Sequence, residues 1–147
     1  MKKGELLGKM LVLAATAHAG QFDKAGKPYI LHCLKVLHYL KSDDEELQCI
    51  AVGHDIIEDT KTTYEDLINK GMTLRIIEGI ANLTKMPGET YEAYKTKVLD
   101  NPDARKVKLA DLRHNSDIRR LKGVTEKDIK RVAKYMAFYA EIQAREV

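Results

Sequence analysis

The stretch Val52-Gly53-His54-Asp55-Ile56-Ile57-Glu58-Asp59-Thr60 sets an imidazole, three carboxylates and a hydroxyl into an otherwise apolar, helix-like run. His54 and Asp55 are adjacent, so on a continuous helix their side chains point about 100° apart. A helix seldom buries two such groups side by side unless something between them satisfies both, and a metal ion does that. Glu58 follows His54 by four positions and Asp55 by three. It returns to the same face one turn later and sets a proton acceptor beside the metal. The competing reading is a polar helix end, with Glu58 and Asp59 solvated and His54 a core histidine satisfied by its neighbours. The rest of the chain decides between the two.

The chain has 147 residues, enough for one domain with its own core, expected to span residues 1–147. Apolar residues make up 44% and charged residues 32%, a globular balance. The net charge of +3, from 25 basic and 22 acidic side chains, is too small and too interspersed to call for nucleic acid. It suits a small anionic ligand wherever lysines and arginines converge. Cys33 and Cys49 form no CxxC pair and read as reduced, buried thiols of a cytoplasmic protein. No signal peptide or membrane span is legible, so no membrane partner is expected, and self-association is left open.

Repeated i, i+3, i+4 apolar spacing and only three prolines predict an all-α bundle of about eight helices with no strand. The first runs roughly from Lys3 to Ala19, closed by Gly20. A polar loop, Gln21 to Pro28, leads to a second, roughly Tyr29 to Leu40. Ser42-Asp43-Asp44-Glu45 reads as a capping box opening a third that runs into the central stretch. Thr63, Thr73 and Thr90 cap the next three. Asn101-Pro102 starts a long helix to about Leu121, and Thr125-Glu126-Lys127-Asp128 opens the last.

Three of these segments carry polar residues where a core face is expected. They are His32 among apolar neighbours, the His54-Asp55 pair, and Asp111 on the inward stripe of its helix. Two imidazoles and two carboxylates from three helices make a mixed nitrogen and oxygen site, suited to Mn²⁺, Fe²⁺, Co²⁺ or Zn²⁺. Water activated by such an ion is a hydrolytic nucleophile at neutral pH.

These residues resemble the H…HD…D signature of the HD-domain metal-dependent phosphohydrolases. More narrowly, Ala17-His18-Ala19-Gly20-Gln21, Gly26-Lys27-Pro28-Tyr29-Ile30-Leu31-His32, His54-Asp55-Ile56-Ile57-Glu58-Asp59-Thr60 and Lys108-Leu109-Ala110-Asp111 are similar to the hydrolase half of RelA/SpoT proteins. They are similar also to the stand-alone small alarmone hydrolases of the metazoan SpoT-homologue type. The resemblance implies an all-α HD bundle that removes pyrophosphate from the 3′ position of (p)ppGpp with one Mn²⁺ ion. It implies metal ligation by His32, His54, Asp55 and Asp111. Glu58 and Asp59 would then handle the protons, with Glu58 the first choice for general base because it shares the His54 face. Lys24, Asn115, Arg131 and Tyr135 would contact the nucleotide.

Four positions depart from the family pattern. Asp23 stands where the family has a base-stacking arginine, which removes a cation–π partner and sets a carboxylate near a polyanion. Cys33 replaces a proline, Ile118 a threonine, and Leu112-Arg113 reverse the usual order. Asp23 argues for altered substrate choice. Two alternatives therefore stand beside the (p)ppGpp reading: a phosphatase for another nucleotide such as NADPH, and a catalytically silent nucleotide-binding regulator. No synthetase half is expected.

Overall fold

The computed structural model describes residues 1–146. In chain order the helices are α1 (Glu5–Ala17), α2 (Ile30–Leu40), α3 (Glu45–Gly53), α4 (Ile56–Asp59), α5 (Tyr64–Asn69), α6 (Leu74–Asn82), α7 (Tyr91–Asp100), α8 (Pro102–Asn115) and α9 (Glu126–Arg145). A short 3-10 turn, Ile118–Arg120, lies between α8 and α9. No strand forms among the described residues, only an isolated extended pairing of Phe22 with Pro28, so the all-α expectation is met.

The hub is α3. Leu47, Cys49, Ile50, Ala51, Val52 and Gly53 are all buried, because α1, α2, α6 and α8 pack around it. A helix apolar on every side has nowhere to go but the interior. From α1, Leu6, Met10 and Ala14 form a buried stripe at four-residue spacing. Two glycines permit the close approach of neighbouring helices. A Cβ at Gly53 would fall 2.9 Å from Met10 Sδ, and one at Gly79 would fall 2.4 Å from Ile50 Cδ1.

Most helix starts follow their local sequence. Thr63 and Thr125 form capping boxes with Asp66 and Asp128, and Thr73, Thr90 and Asn101 each accept from a backbone N–H of the first turn. The third helix differs. Its N-cap is Asp44, which accepts from the Leu47 amide at 3.3 Å. Ser42 accepts instead from Asp44 N, and the Glu45 carboxylate reaches the Leu7 amide of α1 at 3.0 Å. Arg75 gathers Asp44, Glu46 and Asp103, tying α6 to the beginnings of α3 and α8.

The same helix also ends earlier than its pattern suggests. It stops at Gly53, and the chain restarts as α4 after Asp55, whose φ of −107° and ψ of 2° leave the helical path. The long helix α8 stops at Asn115 rather than near Leu121, because Asp117 caps a separate 3-10 turn through the Arg119 amide. Cys33 and Cys49 are buried free thiols, and burial pushes each up to about 12. No helix of the described residues is long and apolar enough to cross a membrane.

Candidate metal centre

The break after Gly53 turns His54 and Asp55 toward one point instead of 100° apart. His54 Nε2 and Asp55 Oδ2 are 2.9 Å from each other. From α8, Asp111 Oδ1 lies 3.3 Å from His54 Nε2 and 2.9 Å from His32 Nε2 of α2. His32 Nε2 and Asp55 Oδ2 are 3.9 Å apart. All four donor atoms fall within 4.8 Å of one another. A six-coordinate ion with bonds of about 2.1 Å would separate adjacent ligands by about 3.0 Å and opposite ones by about 4.2 Å. The cluster has those dimensions.

The histidine tautomers suit ligation. His54 Nδ1 donates to the Ala51 carbonyl at 2.8 Å, which leaves Nε2 to face the cluster, where an ion would replace its proton. His32 Nδ1 lies 2.7 Å from His114 Nδ1. Burial, together with the charges of His32 and Arg120, lowers His114 to about 4.

The field at the centre calls for positive charge. Burial alone would push both carboxyls up, yet the charge and hydrogen bond of His54 hold Asp55 at about 2. Asp111 is held well below the usual carboxylate range by Lys108, His32 and His54, against the effect of its burial. Burial opposes protonation of His54, but Asp55 and Asp111 raise it well above an ordinary histidine. A divalent cation meets the same demand that the His54 proton meets here, so the donor set fits the group.

Further side chains fix the carboxylates. Lys108 donates to Asp111 Oδ2 at 2.8 Å, and Asn115 donates to Asp111 Oδ1 at 3.0 Å. The half-buried Tyr29 donates its hydroxyl to Asp55 Oδ2. Sequence reading assigned no role to Tyr29 or Lys108. Lys108 sits three residues before Asp111, so its contact was legible from helix geometry. Tyr29 meets a residue 26 positions away, and no local signal marks that contact.

The helical run breaks between His54 and Glu58. The Glu58 carboxylate accepts from the Lys85 amide at 2.6 Å. Asp59 is exposed at the end of α4 and feels the charges of the cluster. Loss of solvation, then the charges of Asp55 and Glu58, push it up to about 6. Gln21 links this end of α4 to the loop behind it, accepting from His18 Nδ1 and donating to the Asp59 carbonyl at 3.3 Å. His18 therefore orders the loop.

A cleft of about 270 Å³ opens beside the centre. Lys24, Asn115, Arg131 and Tyr135 all line it, as does Tyr29 at its inner end, so the residues expected to meet a nucleotide are brought together. A larger groove of about 670 Å³, between α1 and the end of α5, shares none of them. Arg131 pairs with Asp128. The carboxylate of Asp23 is engaged by the amides of Ala25 and Lys27 and by Arg120. Arg120 also lines the cleft, although its sequence carries no signal for it.

Fold and cluster together define an all-α bundle with two histidines and two aspartates gathered at metal-ligand spacing. Residues 11–144 match the HD domain, and the chain belongs to the HD-domain family. It is 32% identical over 123 residues to the bifunctional (p)ppGpp synthase/hydrolase SpoT of Escherichia coli, covering 74% of this chain and 17% of that one. It is 32% identical over 142 residues to a guanosine-3′,5′-bis(diphosphate) 3′-pyrophosphohydrolase of Aquifex aeolicus, covering 90% of this chain and 20% of that one. The chain thus spans about a fifth of the length of these relatives. Among solved structures, a metazoan ortholog of SpoT that hydrolyzes ppGpp superposes with a TM-score of 0.78 at 21% identity, covering 97% of this chain and 87% of that one. That likeness confirms the fold.

Proposed function

We propose that this protein is a divalent-metal hydrolase that removes pyrophosphate from the 3′ position of (p)ppGpp or a close relative. One observation carries the reading: His32, His54, Asp55 and Asp111 converge at the inner end of a cleft lined by Lys24, Arg120 and Arg131. The similarity to 3′-pyrophosphohydrolases supports the choice of substrate. The mixed nitrogen and oxygen donors support Mn²⁺ as the ion. The reading takes residues 1–147 as one domain in the cytoplasm, with a nucleotide as partner and neither nucleic acid nor membrane.

A divalent ion held by the four residues supplies Lewis acidity toward a phosphoryl oxygen and toward water. The chain's own side chains do the rest. Asp59, at about 6, is mostly ionised at neutral pH and close enough to that value to accept a proton from the attacking water. The proton taken up by Asp59 passes to the departing 3′ oxygen, and Glu58, next to it, positions the water. Tyr29 and Lys108 keep Asp55 and Asp111 oriented, and Asn115 holds the shared oxygen of Asp111 while facing the cleft. Lys24, Arg131 and Tyr135 hold the nucleotide.

The test is metal analysis joined to a phosphate and pyrophosphate release screen over ppGpp, NADPH and common nucleotides, with wild type, Glu58→Gln and Asp59→Asn. Release of pyrophosphate and GDP from ppGpp, lost in Asp59→Asn, is the expected result. Faster release of phosphate from NADPH would replace the substrate. Bound metal with release from nothing would make the protein a nucleotide-binding regulator.

A further inference from the structure

An acid sits where the cleft's chemistry does not call for one. Asp23 stands among Lys24, Arg120 and Arg131, where a phosphate-bearing ligand would meet it. Its oxygens are already engaged. Oδ1 accepts from the amides of Ala25 and Lys27, each at 2.9 Å, and Oδ2 accepts from Arg120 Nη2 at 3.2 Å. Arg120 is held from a second side, where Nη1 donates to the His114 carbonyl at 3.1 Å. Both side chains of the pair are largely covered, 8% exposed for Asp23 and 17% for Arg120.

A guanidinium carries five N–H donors in a rigid fork, so these two bonds fix Arg120 without exhausting it. Lys24 also lines the cleft and makes no ion pair within 4.0 Å among the described residues; its loss of solvation and the charge of Arg131 pull its ammonium below the usual range, against the attraction of Asp128. Arg120 is also tied to the centre, since the residue whose carbonyl it holds is the one whose ring backs His32. A cation clamped in this way gives up little freedom when an anion arrives, unlike a free surface lysine.

We propose that Arg120 is a substrate-binding residue that grips the 5′ phosphates of the nucleotide, and that Asp23 is the positioning residue that aims it. The proposal rests on the hydrolase reading above, which sets the 3′-pyrophosphate at the four-ligand cluster. The 5′ phosphates then extend along the cleft past Tyr29 to Lys24 and Arg120. Asp23 does not repel them, because its charge is shared with Arg120 and its lone pairs face the loop amides.

The experiment measures KM, kcat and binding in chelator for wild type, Arg120→Gln, Arg120→Lys, Asp23→Asn and the Arg120→Gln/Asp23→Asn double variant, all as the full chain. Circular dichroism and metal content serve as folding controls. Loss of a charge-assisted contact should raise KM and Kd for ppGpp on the order of 10- to 100-fold in Arg120→Gln, with kcat changed far less. Arg120→Lys keeps the charge but not the fork, and recovers part of the loss. Asp23→Asn gives a smaller rise in KM, and the double variant is no worse than Arg120→Gln, because Asp23 acts through Arg120. With guanosine 3′-diphosphate, which has no 5′ phosphates, the Arg120→Gln penalty should nearly vanish.

A folded, metal-loaded Arg120→Gln with wild-type KM and Kd, while wild type hydrolyses ppGpp, overturns this inference alone. So does an equal penalty with both nucleotides, or strict additivity of the two substitutions. A wild type that binds ppGpp through Arg120 yet releases no pyrophosphate overturns only the hydrolase reading. A wild type that neither binds nor cleaves overturns both.

Discussion

Lys108→Met isolates the electrostatics of the centre. The Lys108 ammonium lies 2.8 Å from Asp111 Oδ2 and 5.3 Å from the centre of the Tyr94 ring. Lysine and aspartate are 15% and 6% exposed, so solvent screens the pair little. At an effective dielectric of about 20, unit charges at that distance attract by about 6 kcal/mol. Desolvation offsets part of this, and removing one partner of a buried pair typically costs about 3–5 kcal/mol. Metal-free Lys108→Met should therefore lose about 3–5 kcal/mol, with the Asp111 charge left to His54, His32 and Asn115. With a divalent ion bound, the ion faces the same carboxylate, and the loss should fall below about 2 kcal/mol. For a chain of this length each kcal/mol moves Tm by about 2–4 °C, so the expected drop is about 6–20 °C in chelator and under about 8 °C in saturating Mn²⁺. Linkage requires the difference to reappear as Mn²⁺ binding at least about fivefold tighter in the variant. Urea and thermal unfolding of both proteins, each in EDTA and in Mn²⁺, read these quantities. Equal drops in the two conditions, or no drop in chelator, refute the reasoning.

Asp59→Asn should lower kcat by about 10²- to 10⁴-fold and abolish the acid limb of the pH–rate profile. In wild type that limb falls at or below about 6, since proton acceptance requires the carboxylate and a bound cation lowers the value further; an acid limb unchanged in the variant would assign it elsewhere. His114→Phe keeps a ring against His32 but removes the hydrogen-bond partner of its Nδ1, so metal affinity should fall by about 10- to 100-fold with the fold intact, as isothermal titration would show. Gly79→Ala puts a methyl 2.4 Å from Ile50 Cδ1 and 2.8 Å from its Cγ1, a strain of about 1–3 kcal/mol that should be the same in EDTA and in Mn²⁺ by urea unfolding.

Helix starts were legible wherever the signal lies within one turn. Thr63, Thr73, Thr90, Asn101 and Thr125 all cap as their spacing predicts. Ser42 failed because Asp44, two residues on, offers a competing cap, and Glu45 finds the α1 amide of Leu7 instead of its own N-cap. The four donor residues were legible from polar side chains on core faces, and His32 and Asp111 do meet across 79 positions of chain. The ranking of Glu58 over Asp59 rested on a helix unbroken from His54, and the chain restarts after Asp55.

The amino-acid sequence by itself determined the helices, their caps and the identity of the donor side chains, because each depends on residues a few positions apart. Packing decided the rest. It turned His54 and Asp55 toward one another, set Tyr29 and His114 behind the cluster, and joined Asp23 to Arg120 across 97 positions. Such contacts are fixed by which buried faces fit together, and no periodicity within a single segment records that.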